Sequence, residues 1–177
     1  MPRDELAAWL RLLLTPGVGR EAARRLLAAF GLPQAIWQQD LHAWSGVVGP
    51  RLAKALESPP PDFDETLARH EQWLAQTGDR HLITLGDPRF PAELLDTADP
   101  PLMLFMQGDP SVLRHAVRLA IVGSRNPTPQ GARNAEQFAD ALARAGLCVV
   151  SGLALGVDGA AHEGALRGGG PTIAVVG

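Results

Sequence analysis

Leu119-Ala-Ile-Val-Gly-Ser-Arg-Asn-Pro-Thr-Pro-Gln-Gly131 and Cys148-Val-Val-Ser-Gly-Leu-Ala-Leu-Gly-Val-Asp-Gly-Ala-Ala-His-Glu-Gly-Ala-Leu166 share one pattern: an apolar run, a glycine-bearing loop, then a helix-forming segment. A strand that ends in Gly or Ser and runs into a helix aims backbone N–H groups at one spot, and the helix dipole makes that spot receptive to an anion, most often phosphate. Two such units in tandem predict a parallel sheet with both loops on one edge.

Working outward, residues 117–177 read as a βαβαβ series. Val117 to Val122 reads as a strand buried on both faces, interrupted only by Arg118. Thr128 suits a helix N-cap and Pro129 the first helical position. Ala132, Ala135, Phe138, Ala139 and Leu142 form one apolar stripe, and Gly146 stops that helix. Leu147–Val150 is the second strand, Val157–Arg167 the second helix, and Thr172–Gly177 the third strand. Three parallel strands with right-handed crossovers are about half of a doubly wound sheet. The fold expected is therefore α/β, an incomplete doubly wound, Rossmann-like parallel sheet preceded by a small all-α domain, and the chain reads as the front part of a larger protein.

That all-α part spans residues 1–58. Leu6, Trp9, Leu10, Leu13 and Leu14 recur at helical spacing, as do Ala22, Ala23, Leu26, Leu27 and Phe30. Thr15-Pro-Gly-Val-Gly19 with Ala23 and Leu26 is echoed 30 residues later by Ser45-Gly-Val-Val-Gly49 with Ala53 and Leu56. This looks like a tandem helix-hairpin-helix, or SAM-like, module. Gly17 and Gly19 are either weak contacts to a DNA phosphate or simply a turn that lets two helices pack. Pro50 removes one N–H from the second copy and weakens it as a contact. Residues 59–78 are read as a linker, Pro59-Pro-Pro61, and an amphipathic helix from Asp62 to Gln76. Residues 79–177 are read as the first part of the Rossmann-like domain, entered through the strands His81–Leu85 and Leu102–Met106. The four tryptophans (Trp9, Trp37, Trp44, Trp73) sit at helical spacing and are read as core.

Charge narrows the function. The net charge of −3 argues against a generic nucleic-acid binder. Yet Pro110 to Ala135 carries four arginines, Arg114, Arg118, Arg125 and Arg133, and no Asp or Glu. Lys54 is the only lysine, so part of this arginine richness reflects overall usage. No apolar run approaches the roughly 20 residues a bilayer requires, and Met-Pro-Arg-Asp-Glu lacks the plan of a signal peptide. The lone Cys148 is expected to be buried and inert. A cytoplasmic protein follows as the expectation.

The loops read as a binding site without catalysis, metal or cofactor. Gly123 lets a ligand approach the backbone, Ser124 supplies a hydroxyl, and Arg125 supplies a planar fork for phosphate oxygens or else a clamp between the loops. Asn126 completes the first loop. Ser151, Gly152 and Gly156 do the same from the second. Asp158 and His162, one turn apart, are read as loop-ordering; as an acid–base pair they would lack a third group and a nucleophile. Ser151 has no adjacent base and lies in no Gly-x-Ser-x-Gly elbow. There is no Cys/His cluster to hold a metal.

Ile121-Val-Gly-Ser-Arg-Asn126 together with Ser151-Gly-Leu-Ala-Leu-Gly-Val-Asp-Gly-Ala-Ala-His162 resembles the DNA-processing protein A (DprA/Smf) family. Leu82-Ile-Thr-Leu-Gly-Asp-Pro-Arg-Phe-Pro91, Pro100-Pro-Leu-Met-Leu-Phe105 and Gly108-Asp109 are similar to that family's entry into its Rossmann-like domain. The resemblance implies a cytosolic protein that binds single-stranded DNA, protects incoming strands and helps load the RecA recombinase during natural transformation. It also implies a homodimer in the full-length form, with the dimer and RecA surfaces in the later part of the domain. The alternative from another class is a nucleotide-binding enzyme, such as a nucleoside-monophosphate phosphoribohydrolase. The Pro-Gly-Gly-x-Gly-Thr motif expected of that class is not found in these 177 residues. A purely structural protein–protein module is the third reading.

Overall fold

A computed structural model describes residues 1–177. The chain forms two compact units, Met1–Gly108 and Asp109–Gly177.

The first unit begins with helices. They are α1 (Arg3–Leu14), α2 (Arg20–Phe30), α3 (Pro33–Ile36), α4 (Leu41–Val48), α5 (Pro50–Leu56) and α6 (Phe63–Ala75). Their apolar positions converge on one core, in which Leu6, Trp9, Leu10, Leu12, Leu26, Ile36 and Leu56 are all 2% exposed or less. The indoles are structural. Trp37 Nε1 donates to the Ala8 carbonyl at 3.0 Å and Trp44 Nε1 to the Ile36 carbonyl at 2.8 Å. Their rings meet edge-on at 6.2 Å, and the Arg11 guanidinium lies over Trp37 at 4.1 Å. The echo at an offset of 30 has a structural counterpart, since Gly19 and Gly49 are the N-caps of α2 and α5. The turns differ, however, because Ser45–Val48 is the last turn of α4, whereas Thr15–Val18 lies between helices.

Strands β1 (Arg80–Thr84) and β2 (Met103–Gln107) pair antiparallel, with Arg80 opposite Gln107 and Thr84 opposite Met103. The sequence assigns them to the Rossmann-like part and separates residues 59–78 as a linker and helix. In the structure Leu67, Leu82, Leu102 and Met103 share the core of the helices. Apolar burial therefore sets the unit boundary at Gly108, not at residues 58 and 78.

The second unit holds β3 (Arg118–Ala120), α7 (Pro129–Arg144), β4 (Cys148–Ser151), α8 (Val157–Arg167) and β5 (Thr172–Ala174). The sheet is parallel with order β3-β4-β5. Two right-handed crossovers advancing in the same direction leave both helices on one face. They touch closely: a Cβ at Gly164 would stand 2.1 Å from the Glu136 carbonyl oxygen. Arg167 and Glu136 pair across the same contact. The core here is small, with Ala139, Ala143, Val149, Ala161 and Ala165 buried and Ile121 and Leu142 packed against them.

Two expectations are corrected. Val117–Val122 is not a strand buried on both faces: only Arg118–Ala120 pairs, Leu119 is 39% exposed and Val122 71%. The reason is position, since β3 is an edge strand and both helices lie on one side. Phe138 is not in the packing stripe of α7. The buried row is Ala135, Ala139 and Ala143, spaced by four, and Phe138 stands 63% exposed beside it. The predicted cap holds, with Thr128 Oγ1 accepting from the Gly131 N–H at 3.1 Å and Pro129 opening the helix. Cys148 is buried and its thiol is pushed up by burial.

Candidate nucleic-acid interface

The carboxyl ends of β3 and β4 deliver the two glycine loops to one edge of the sheet. Their backbones interlock. The Val157 N–H of α8 donates to the Ser124 carbonyl at 3.1 Å. A Cβ at Gly123 would meet Val157 Cγ2 at 2.9 Å, and one at Gly156 would meet the Ser124 carbonyl oxygen at 2.4 Å. Gly156 also has φ +88°, which side-chain-bearing residues avoid. These two glycines are thus required first by the fit of loop on loop, and the sequence reading of them as ligand-approach positions understates that role.

The helix N-termini are partly self-satisfied. In α7, Gly131 and Ala132 N–H groups bond to Thr128. In α8, Val157, Gly159 and Ala160 N–H groups bond to Ser124, Ala154 and Gly156. The donors left over belong to the loops: the amides of Gly123, Ser124, Arg125, Gly152, Leu153, Ala154 and Leu155 find no backbone acceptor in the chain. The unpaired N–H donors on this edge therefore lie in the loops more than in the helix ends.

The predicted side chains divide by role. Gly123, Ser124, Arg125 and Asn126 are exposed. Ser124 Oγ accepts from the Asn126 N–H at 3.1 Å, which shapes the loop and leaves the hydroxyl proton free. No hydrogen bond or ion pair engages the Arg125 guanidinium, so it projects as an unneutralised cation. Its neighbours are committed: Arg118 donates to the Leu113 carbonyl, and Arg133 to Gln130 Oε1 at 2.9 Å. Ser151 is a correction. It is 2% exposed and its hydroxyl donates to the Ile121 carbonyl at 2.6 Å, so it ties β4 to the end of β3 instead of standing open on the surface. Gly17 and Gly19 lie in the other compact unit. There Arg20 and Arg24, on the helix that Gly19 opens, are both paired with Asp99, which lowers the positive potential of that turn.

Asp158 and His162 are each 8% exposed. His162 Nδ1 and Thr172 Oγ1 are 2.7 Å apart, and Thr172 Oγ1 donates onward to the Val149 carbonyl at 2.9 Å. The single hydroxyl proton of Thr172 is thus used, so His162 donates from Nδ1, and its neutral ring has a bare Nε2. Nε2 is buried without a partner, as is Asp158 Oδ1. Burial lowers the His162 pKa, partly opposed by the Asp158 charge. The sequence reading missed two exposed residues of the second loop: Leu153, at φ +59°, is 62% exposed and Leu155 84% exposed. Two aliphatic side chains in a glycine loop were the available signal.

Fold and site together define a Rossmann-like α/β unit with paired glycine loops, preceded by a helical unit. The sequence model of the DNA recombination-mediator protein A family matches residues 81–177. Along all of this chain, protein Smf of Synechocystis sp. is 32% identical, and the match covers 45% of that protein. Escherichia coli protein Smf is 43% identical over 105 residues, 59% of this chain and 28% of that protein. The X-ray structure of DNA processing protein A from Streptococcus pneumoniae superposes with a TM-score of 0.71 at 26% identity, over 99% of this chain and 58% of that one. The chain belongs to the DNA recombination-mediator protein A family. It spans less than half the length of these curated relatives.

Proposed function

We propose that this chain binds single-stranded DNA through the loops 123–126 and 152–156, as the DNA-engaging front of a cytoplasmic recombination mediator. The observation that carries the reading is Arg125: an exposed guanidinium without a partner, set among loop amides that lack acceptors. A charged fork beside free N–H groups is suited to phosphate oxygens, and such contacts carry no base preference. Within the longer protein, the reading extends to protection of incoming strands, to loading of the RecA recombinase and to action as a homodimer. Binding, not catalysis, is the role assigned to the site.

The test is fluorescence anisotropy with a labelled dT oligomer at two salt concentrations. Affinity falls as salt rises. Arg125→Ala weakens binding by about 1–3 kcal/mol, the range of a charge-assisted hydrogen bond. Arg144→Ala changes little, because Arg144 is already held by Asp140 at 3.0 Å. Equal losses from the two variants, both folded by circular dichroism, would sink the assignment of Arg125.

A further inference from the structure

The two loops are not chemically equivalent. The first offers Arg125 and carries no acidic residue. The second opens α8 with Asp158, which is 8% exposed and whose Oδ1 is buried without a hydrogen-bond partner. Its Oδ2 is turned toward the loop, 2.8 Å from where a Cβ on Gly152 would stand. His162, whose ring feels the Asp158 charge, keeps its proton on Nδ1 for Thr172 and has none on Nε2 to donate. A carboxylate held in the chain with one oxygen buried and unpartnered is costly, so a donor to the oxygen that faces the loop is favoured. The carboxylate also repels a phosphate.

On the reading that a DNA strand occupies these loops, we infer that the second loop receives the edge of a nucleobase, with Asp158 accepting a base N–H. The strand's chemistry leaves no other donor: within a DNA strand the phosphodiester oxygens only accept and the deoxyribose has no free hydroxyl, so every N–H or O–H donor is on a base. The loop fits such a guest, since Leu153 and Leu155 in the same loop expose aliphatic surface suited to a base's face. Phosphate is then held at Arg125 and the base is turned toward Asp158, a division of labour that orients the strand across the two loops.

The experiment compares a dT oligomer with the same oligomer carrying N3-methylthymine, which removes the imide donor while keeping backbone and charge. The whole 177-residue chain is used, at fixed salt. The wild-type chain binds the methylated strand about tenfold or more weakly, as expected for loss of a hydrogen bond to a charged acceptor. Asp158→Ala binds the two strands alike, and Asp158→Asn, which keeps the shape and a weaker acceptor, falls between. Equal wild-type affinity for the two strands, with salt dependence and the Arg125→Ala effect intact, overturns this inference and leaves the strand-binding reading standing. The same loss on methylation in wild type and Asp158→Ala overturns it too, by placing the donor's partner elsewhere. Failure to bind dT at all removes the strand-binding reading and this inference with it.

Discussion

His162 shows how one buried ring sets a pH limit on the second unit. Burial lowers its pKa in the folded chain from 6.5, the ordinary value it regains on unfolding. Between the two values the unfolded chain binds more protons, so stability falls as pH falls. The contribution of the neutral ring is whole above pH 6.5 and is lost as pH drops through the depressed folded value. Melting the wild-type chain and His162→Gln between pH 7.5 and pH 5 checks this. The wild-type melting temperature drops more on acidification, and parallel curves would show that His162 does not control the acid limb. The hydrogen bond from Nδ1 to Thr172 Oγ1 makes the test local, because it ties the ring to β5.

At the scale of elements, the contact of α7 with α8 has no room for a side chain at Gly164, where an added Cβ would stand 2.1 Å from a backbone oxygen. Gly164→Ala must push the helices apart and destabilises the chain by about 1–3 kcal/mol, the usual cost of overpacking. Gly46→Ala, in α4 with nothing within 4 Å, stabilises it by about 0.5–1 kcal/mol through helix propensity. Chemical denaturation of the two variants reads both signs. The same elements mark how far the sequence could be read. Helices and strands were legible because their caps and periods are local: Thr128-Pro129 starts α7 as written, and the strand after Gly146 begins within a residue of its expected place. The unit boundary was not legible, since the burial of Leu67, Leu82 and Leu102 with α1–α5 depends on long-range packing. The loop residues were found by type, but not their partners. Ser151 looked available as a hydroxyl, and only the register of β4 beside the first loop turns it inward to Ile121. Phe138 failed for a related reason: a helix period says which residues share a side, not which side meets a neighbour.

For the whole molecule, the two cores differ in size. The first unit buries large side chains such as Leu6, Trp9, Leu10 and Leu26, whereas the second rests on alanines and Val149. Burial of more apolar surface gives the first unit the larger stabilisation. Hydrogen exchange is therefore slower across Leu6–Leu27 than across Ile173–Val176, and uniform protection through Val176 would contradict the difference in cores. The placement of the indoles carries a further consequence, an optical one. Trp9, Trp37, Trp44 and Trp73 all belong to Met1–Gly108, and the chain has no tyrosine. Absorbance and emission excited at 280 nm therefore come from one unit alone, and Asp109–Gly177 is dark. In a urea titration, far-ultraviolet ellipticity follows the helices of both units while indole emission follows only the first. If the smaller core yields first, ellipticity begins to fall before emission moves; superimposed curves would mean that the units melt together. A tryptophan in place of the solvent-facing Phe138 would give the dark unit a colour of its own.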